Sequence, residues 1–214
     1  MTSATVSYSS SSRTLTVRGD GHNISVSDGA YVFYASDRPL FFTLPSVVLS
    51  DGAMYSPASV ISKAFGVKIS LQNSREVKIS GYATPLRHAS AFYREDEVYW
   101  LSRIINAESR GEPLLGQIAV GSVVLNRVAS SAYPSTIWGV IFDKKYGVQF
   151  SPIIDGSIYA SPSYTSVLAA KICLEGYRVS EDVLFFLYPR ASTSSWIPKS
   201  REYRFTVGRH DFYA

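Results

Sequence analysis

The residue pattern of this chain changes from strand-like to helix-like after residue 80. Residues 4–80 hold short runs of β-branched and aromatic side chains separated by polar turns, and residues 5–8 and 14–18 alternate like the two strands of a hairpin. Residues 57–65, which start with proline and precede Gly66, have the spacing of one amphipathic helix. The first part of the chain is therefore predicted to be a small sheet with one helix packed on it.

From residue 95 onward, apolar side chains recur at helical spacing. Three helices are predicted, over residues 97–109, 113–130 and 162–174. Residues 143–161 form a long connection before the third helix, and long connections of this kind often carry binding residues. Residues 204–207 and 210–213 alternate around Gly208 and Arg209, which predicts a hairpin.

Length and composition agree with two packed parts. The chain has 214 residues, 46% of them hydrophobic, which is ample for packed cores. The predicted fold class is α+β, with a small α+β domain of short strands and one helix preceding a mainly helical domain that has a small β hairpin. The predicted boundaries are residues 1–82 for the first domain, 83–94 for a linker and 95–214 for the second domain.

Charge and cysteine content argue against several classes of protein. The 21 Lys and Arg against 17 Asp and Glu give a net charge of +4 that is spread along the chain, so no nucleic-acid partner is predicted. Cys173 is the single cysteine, which excludes an internal disulfide. No apolar run approaches the roughly 20 residues of a membrane helix, so no membrane span is expected. The first residues lack a signal-peptide pattern, which fits an intracellular protein or one whose signal peptide has been removed.

One carboxylate falls at the junction of the first two predicted helices. Glu108 lies one turn beyond Ile104–Ile105, on the side of the helix that those residues bury. We predict that Gly111 ends this helix and that Glu112–Pro113 begins the next, where a carboxylate suits the positive end of the helix dipole. Glu108 has no such capping role, and burial would raise its pKa above the usual value of about 4.3. A carboxylic acid that keeps its proton near neutral pH can act as a general acid, so Glu108 is the candidate catalytic residue.

Several sequence blocks follow one another in a specific order in the second part. They are Ala107-Glu108-Ser109-Arg110-Gly111-Glu112, Gly116-Gln117-Ile118-Ala119-Val120, Val124-Leu125-Asn126-Arg127-Val128, Gln149-Phe150-Ser151-Pro152, Phe185-Phe186-Leu187-Tyr188-Pro189, Ser195-Trp196-Ile197 and Gly208-Arg209-His210-Asp211-Phe212-Tyr213. Through these blocks, residues 97–214 resemble the SleB-type cell wall hydrolases, the family of spore cortex-lytic enzymes.

The resemblance implies a lysozyme-like catalytic domain and a peptidoglycan-degrading enzyme. It would cleave the β-1,4 bond between N-acetylmuramic acid and N-acetylglucosamine as a lytic transglycosylase, leaving 1,6-anhydromuramyl ends, and Glu108 matches the catalytic residue. Five residues are expected to bind substrate. Their positions in the motifs favour them, and sugars bind to flat apolar faces edged by amides and hydroxyls. These are Gln149, Phe150, Ser151, Tyr188 and Trp196.

The resemblance also implies where the protein acts and what it binds. Its partner would be the glycan strand of peptidoglycan, in spore cortex during germination or in the cell wall. The protein would accordingly be secreted and associated with the wall or the spore. No metal and no cofactor are expected.

Short motifs in the first part follow the order of another small domain. They are Leu44-Pro45, Asp51-Gly52, Tyr55-Ser56-Pro57 and the helix that ends at Gly66. These residues are similar to the repeat named after the copper amine oxidase N-terminal domain. The name implies no copper here, because the sequence offers no histidine cluster to bind it. We expect this part to contact the wall or another protein.

Two alternatives concern the reaction at Glu108. If Glu112 or Asp155 supplies a second carboxylate, the enzyme would be a hydrolytic muramidase. With Glu108 alone, the muramyl C6 hydroxyl would close onto C1, as the transglycosylase reaction requires. A domain that holds glycan without cutting it is the alternative that is not an enzyme.

Two other classes of wall enzyme are disfavoured by the residues themselves. A cysteine peptidase needs an exposed, activated thiol, whereas Cys173 lies late in a predicted helix among apolar residues. A zinc amidase needs a set of metal ligands, whereas His22, His88 and His210 are scattered along the chain. We expect His210 to be a hydrogen-bonded structural residue rather than a base.

Overall fold

The computed structural model divides into two compact units, Met1–Phe92 and Tyr93–Ala214. The structure describes residues 5–19, 22–48, 51–73, 76–81, 86–145, 147–190 and 196–214.

The first unit is built mainly of antiparallel strands. A five-stranded sheet follows the chain order β1 (Thr5–Ser9), β2 (Thr14–Gly19), β3 (His22–Ser27), β4 (Val32–Ala35) and β5 (Arg38–Phe41). Two strand pairs follow, β6 (Val47–Val48) with β7 (Met54–Tyr55), and β8 (Lys68–Gln72) with β9 (Glu76–Ser80). The helices of this unit are α1 (Ala58–Phe65) and α2 (Ala89–Phe92).

Local signals account for much of this unit. The predicted hairpin forms, with Thr5 opposite Arg18 and Ser9 opposite Thr14. Helix α1 ends at Gly66, whose φ of 65° is in the left-handed region that a helix-ending glycine favours. The core of the unit joins sheet and helix and contains Val26, Phe33, Ala35, Leu40, Val60 and Ala64. Burial of these side chains supplies the main force that holds the helix on the sheet.

The second unit is mainly helical with a small sheet. Its helices are α3 (Glu95–Ser109), α4 (Leu114–Ala129), α5 (Ile137–Ile141), α6 (Pro152–Asp155), α7 (Tyr164–Leu174) and α8 (Trp196–Ser200), with a 3-10 helix at Ser157–Tyr159. Its strands are β10 (Phe185–Leu187), β11 (Tyr203–Val207) and β12 (His210–Tyr213), arranged in the antiparallel order β10-β12-β11. The three predicted helices and the predicted hairpin are all present.

Helices α3, α4 and α7 form the core of the second unit. A Cβ atom on Gly121 of α4 would lie 2.7 Å from the sulfur of Cys173 and 2.9 Å from Cδ1 of Ile105, so only glycine lets the helices approach this closely. Cys173 is fully buried, and burial raises the pKa of its thiol to about 12. The prediction that this cysteine behaves as a small buried hydrophobe is confirmed.

The segment predicted as a linker holds ordered structure. Residues 86–94 include helix α2 and lead directly into α3, while 82–85 lie outside the described residues. In the described ranges, no helix is both long and apolar enough to cross a membrane.

Candidate active site

Glu108 lies in the last turn of α3 and is half-buried. Burial raises the pKa of its carboxyl from the ordinary value of 4.5 to about 7, and the negative charge of Asp155 adds to the rise. The positive charge of Arg127 acts in the opposite direction. The result is an acid that is about half protonated at neutral pH, which suits a group that must both give and take a proton.

Asp155 is the second carboxylate of this neighbourhood. It ends helix α6 on the long connection, where its side chain is exposed. Hydrogen bonds from Ser157 lower the pKa of Asp155, and one of them runs from the backbone N–H of Ser157 to Oδ1 over 2.8 Å. The two carboxyls therefore differ in protonation at neutral pH, with Asp155 ionised and Glu108 partly neutral.

Arg127 of α4 is a buried cation near the acid and is not among the site residues predicted from the sequence. Its Nε donates to the backbone carbonyl of Leu184 over 2.8 Å, and its Nη1 has no hydrogen-bond partner within the described residues. The Cζ atom lies 5.2 Å from the ring centres of both Tyr133 and Phe150. An arginine held in this way keeps its charge despite a pKa that burial lowers. A signal was present in the sequence, since arginine is rare among the apolar residues of a buried helix.

An ion pair between Glu112 and Arg209 connects the α3–α4 junction with the β11–β12 turn, and the local sequence does not predict it. Glu112 accepts hydrogen bonds from the backbone N–H of Arg209 over 2.9 Å and from its Nε over 2.6 Å. The Glu112 side chain is only 2% exposed. Burial alone would raise the pKa of Glu112, but the two hydrogen bonds and the charge of Arg209 outweigh burial and lower it. Glu112 is thus an ionised structural residue.

This arrangement corrects two details of the predicted junction. Helix α4 begins at Leu114 with Pro113 as its N-cap, so Glu112 precedes the helix and pairs with the β11–β12 turn instead of lying in the first helical turn. Gly111 is not left-handed. Its lack of a side chain is needed because a Cβ atom there would lie 2.7 Å from Nη2 of Arg209.

His210 is buried beside this ion pair. Its Nδ1 lies 3.9 Å from Oε1 of Glu112 and has no hydrogen-bond partner in the described part of the chain, contrary to the expectation of a hydrogen-bonded side chain. The ring packs against the rings of Phe186, Tyr188 and Phe212. Burial lowers the pKa of His210, so the imidazole is neutral at neutral pH.

A buried polar network holds the residues that precede Glu108. Asn106 accepts a hydrogen bond at Oδ1 from the backbone N–H of Ser163, over 3.0 Å, which fixes the start of α7 against α3. The hydroxyl of Ser166 donates to Oε1 of Gln117 over 2.8 Å, and Nε2 of Gln117 donates to the carbonyl of Glu112 over 3.0 Å. The network therefore links three helices at the turn that carries the candidate acid.

Four of the predicted substrate-binding residues retain exposed surface. Gln149 is half-buried and donates from Nε2 to the carbonyl of Gly147 over 3.0 Å, and Ser151 is exposed at the start of α6. Tyr188 lines a cleft of about 300 Å³ together with Arg209 and three neighbouring residues. Trp196 is 54% exposed and lies edge-on to a buried phenylalanine.

Phe150 is the exception among the five. It is only 2% exposed, so its ring lies in the core and has no face to offer a sugar. The expectation of direct substrate contact by Phe150 is therefore corrected. Its ring packs against the guanidinium of Arg127 and the ring of Phe186.

The described residues bring together no group of three His, Cys, Asp or Glu side chains that could hold a metal ion. His88 lies in the first unit, where its Nε2 is 2.7 Å from Oδ2 of Asp37.

Comparisons with known proteins agree with the fold of the second unit. Residues 111–213 match the family described as Cell Wall Hydrolase. The spore cortex-lytic enzyme of Bacillus cereus is 35% identical over 120 residues, which are 56% of this chain and 45% of that enzyme. The spore cortex-lytic enzyme of Bacillus subtilis is 32% identical over 120 residues and 38% of its length. The chain thus spans less than half the length of these relatives.

A solved structure is similar to the second unit. The catalytic domain of the germination-specific lytic transglycosylase SleB from Bacillus anthracis is 35% identical, with a TM-score of 0.52 over 57% of this chain and 97% of that domain. The helices and small sheet of the second unit thus define a lysozyme-like domain of the SleB type, as the sequence resemblance implied. The chain belongs to the cell wall hydrolase family. The similarity of the first part to the copper amine oxidase N-terminal repeat stays a prediction.

Proposed function

We propose that this protein degrades peptidoglycan by cleaving the β-1,4 bond between N-acetylmuramic acid and N-acetylglucosamine, with Glu108 as the catalytic residue. The observation that carries the proposal is the half-buried Glu108 carboxyl, whose pKa of about 7 allows it to hold a proton at neutral pH. Membership of the cell wall hydrolase family supports the substrate class.

The proposed reaction is that of a lytic transglycosylase. Protonated Glu108 donates its proton to the bridging oxygen, the bond from that oxygen to the muramyl C1 breaks, and positive charge develops on the ring. The resulting carboxylate takes the proton of the muramyl C6 hydroxyl as O6 bonds to C1. The product carries a 1,6-anhydro ring, no water is consumed, and Glu108 ends in its starting protonated form.

Arg127 supports the second half of this cycle. A purely desolvated acid would resist ionisation, whereas the nearby guanidinium lowers the pKa of Glu108 and so favours the carboxylate that must act as base. We propose Arg127 as a positioning residue that acts through its charge, held by its bond to Leu184.

Ionised Asp155 favours one alternative reaction. A carboxylate that keeps its charge near Glu108 has the properties of a base that activates water, which would make the enzyme a hydrolytic muramidase. Asp155→Asn separates the two reactions. In the transglycosylase the variant keeps most activity and releases anhydro products, whereas in the muramidase activity is lost.

The direct test compares wild type, Glu108→Gln and Asp155→Asn on purified peptidoglycan. We expect turbidity to fall with wild type and to stay constant with Glu108→Gln, and mass spectrometry of the released fragments to show anhydromuramyl ends. Equal turbidity loss with Glu108→Gln would remove the catalytic assignment. If turbidity falls with neither wild type nor Glu108→Gln, a module that binds glycan without cutting it is favoured. If the released fragments carry only reducing ends, the muramidase is favoured.

We propose that Gln149, Ser151, Tyr188 and Trp196 contact the glycan, since each retains surface and Tyr188 lines an open cleft. Alanine variants at these positions are expected to raise the KM for soluble glycan fragments more than they lower kcat. A variant with unchanged KM would remove that residue from the binding surface.

The remaining proposals concern organisation and location. We propose that residues 1–82 form a domain that contacts the wall or another protein, that 83–94 connect it to the catalytic domain at 95–214, and that the protein acts outside the cytoplasm on spore cortex or cell wall. Sedimentation with insoluble wall should decrease when residues 1–82 are deleted. Comparing the fragments released from cortex and from vegetative wall identifies the substrate.

A further inference from the structure

A second cleft lies at the opposite end of α3 from the candidate acid. It has a volume of about 250 Å³ and is lined by residues of α3, α4, α5 and the end of α7 with their flanking turns, among them Trp100, Trp138 and Leu125. Trp100 precedes Glu108 by eight positions on one helix, which separates them by about 12 Å along the helix axis. The cleft is therefore distinct from the site of bond cleavage but close to it.

Trp138 offers a broad apolar face on a fixed support. Its side chain is 56% exposed, and its ring centre lies 5.2 Å from that of Phe142 with the planes tilted by 31°. The ring of Phe142 in turn packs edge-on against the ring of Trp100, with the ring centres 5.1 Å apart. Interlocked rings of this kind hold the outer face of Trp138 in one orientation, which lowers the entropy cost of binding a flat apolar ligand face.

Planar polar groups edge the cleft. The guanidinium of Arg94 bonds to both carboxylate oxygens of Asp96, over 3.2 and 2.9 Å, and Oε1 of Glu97 lies 3.9 Å from its Nε. Aromatic faces bordered by donors and acceptors suit a ligand with apolar C–H faces, hydroxyls and amides. N-acetylhexosamines have this combination of groups.

Residues 155–159 form a short segment whose two ends are exposed, while Ile158 within it is buried. Asp155, whose charge raises the pKa of Glu108, lies at one end of this segment. Tyr159 lies at the other end, where its ring is 61% exposed and 6.4 Å from the ring of Trp100. The exposed side chains of Asp155 and Tyr159 therefore lie near the acid and near the cleft, respectively, on one short stretch of chain.

We propose that the cleft between Trp100 and Trp138 is a distal subsite that binds N-acetylhexosamine units of the same glycan strand, away from the bond that is cut. This inference rests on the proposed function. The small volume fits a sugar unit of a longer ligand, since sites for whole drug-sized ligands reach about 300–1,000 Å³. Binding at this subsite favours long strands over short fragments, because contacts remote from the cut are available only to a long glycan.

The experiment measures binding and cleavage separately. Binding to insoluble peptidoglycan and to peptide-free glycan strands is measured in the Glu108→Gln background, which we expect to leave the polymer intact. To this background Trp138→Ala, Trp138→Phe or the control Tyr164→Ala is added. Tyr164 is an exposed aromatic residue on α7 that does not line the cleft. Cleavage of long strands and of a short soluble glycan fragment is measured with the same changes in the otherwise wild-type protein.

We expect Trp138→Ala to weaken strand binding about five- to tenfold, the loss that follows from giving up roughly 50 Å² of apolar contact. Trp138→Phe should retain most of the affinity, Tyr164→Ala should match its parent, and cleavage of the short fragment should be unchanged in all three. Equal binding by Trp138→Ala and its parent would overturn the subsite, and a cleft that serves a protein partner would give this result. Equal losses with Tyr164→Ala would also overturn it, since the effect would not be specific to the cleft.

Failure of the subsite differs from failure of the proposed function. If wild type cleaves peptidoglycan and Trp138→Ala binds and cleaves long strands equally well, only the subsite is refuted. If wild type neither binds nor cleaves peptidoglycan, the proposed function is refuted and the subsite with it.

Discussion

Replacing Glu108 by glutamine should make the second unit more stable at alkaline pH, although it removes the proposed catalyst. The folded-state pKa of about 7 lies roughly 2.5 pH units above the ordinary value of 4.5, and each unit is worth about 1.36 kcal/mol. Because the folded protein holds this proton more tightly than the unfolded chain, the stability that depends on Glu108 is fully present below pH 4.5 and is lost as the pH rises through 7. The loss amounts to about 3 kcal/mol above that range.

Glutamine has a similar shape and no proton to lose, so the variant should lack this pH dependence. We expect wild type and Glu108→Gln to have similar free energies of unfolding near pH 4, and the variant to be more stable by about 3 kcal/mol at pH 8.5. The corresponding rise in Tm is roughly 6–12 °C for a protein of this size.

Urea unfolding followed by tryptophan fluorescence measures this difference. Trp100, Trp138 and Trp196 are the 3 tryptophans of the chain and all lie in the second unit, so the signal follows the unit that holds Glu108. Glu95→Gln, at the exposed start of the same helix, is the matched control and should follow the wild-type curve. Stability curves of wild type and Glu108→Gln that stay parallel from pH 4 to 8.5 would refute a desolvated, proton-holding Glu108.

Three further predictions concern the neighbours of the acid. Arg127→Met removes a cation that lowers the pKa of Glu108, so the alkaline limb of the pH profile of kcat/KM should move to higher pH. An alkaline limb at the same pH as in wild type would contradict this role of the Arg127 charge. Glu112→Gln should cost about 1.5–3 kcal/mol in urea unfolding because it weakens charge-assisted hydrogen bonds. Arg209→Ala should lower the urea midpoint further because it leaves a buried carboxylate without its cation, with only the backbone N–H of residue 209 still bonded to it. Equal midpoints for those two variants would argue against a buried charge. Gly111→Ala should lower the midpoint less than either, because its methyl group displaces only the flexible end of Arg209; a midpoint equal to wild type would mean that the close approach carries no cost.

The helices and hairpins could be predicted because their signals are local. Helix α3 was predicted over 97–109 and occupies Glu95–Ser109, and the second predicted hairpin forms as β11 and β12. Strand β5 escaped prediction, since Pro39 lies at its centre and proline normally interrupts strands. Its position at the edge of the five-stranded sheet explains why proline is tolerated there.

The candidate site could be predicted only as far as its central acid. The spacing of apolar residues around Glu108 sufficed because burial on a helix face follows from periodicity. The pairing of Glu112 with Arg209 joins residues 97 positions apart, and no local pattern specifies such a contact. Phe150 was misassigned for a related reason, since the sequence does not distinguish an aromatic ring in a groove from one packed under a buried arginine.

The bond between Glu112 and Arg209 also has a consequence for biosynthesis. Glu112 is synthesised long before Arg209. The bond that connects the α3–α4 junction to the hairpin therefore cannot form until the β11–β12 hairpin has been made. Proteolytic cleavage within the hairpin would weaken the same bond between Glu112 and Arg209 in the folded protein. Damage at one short turn is thereby transmitted to the place where the cell wall would be cut.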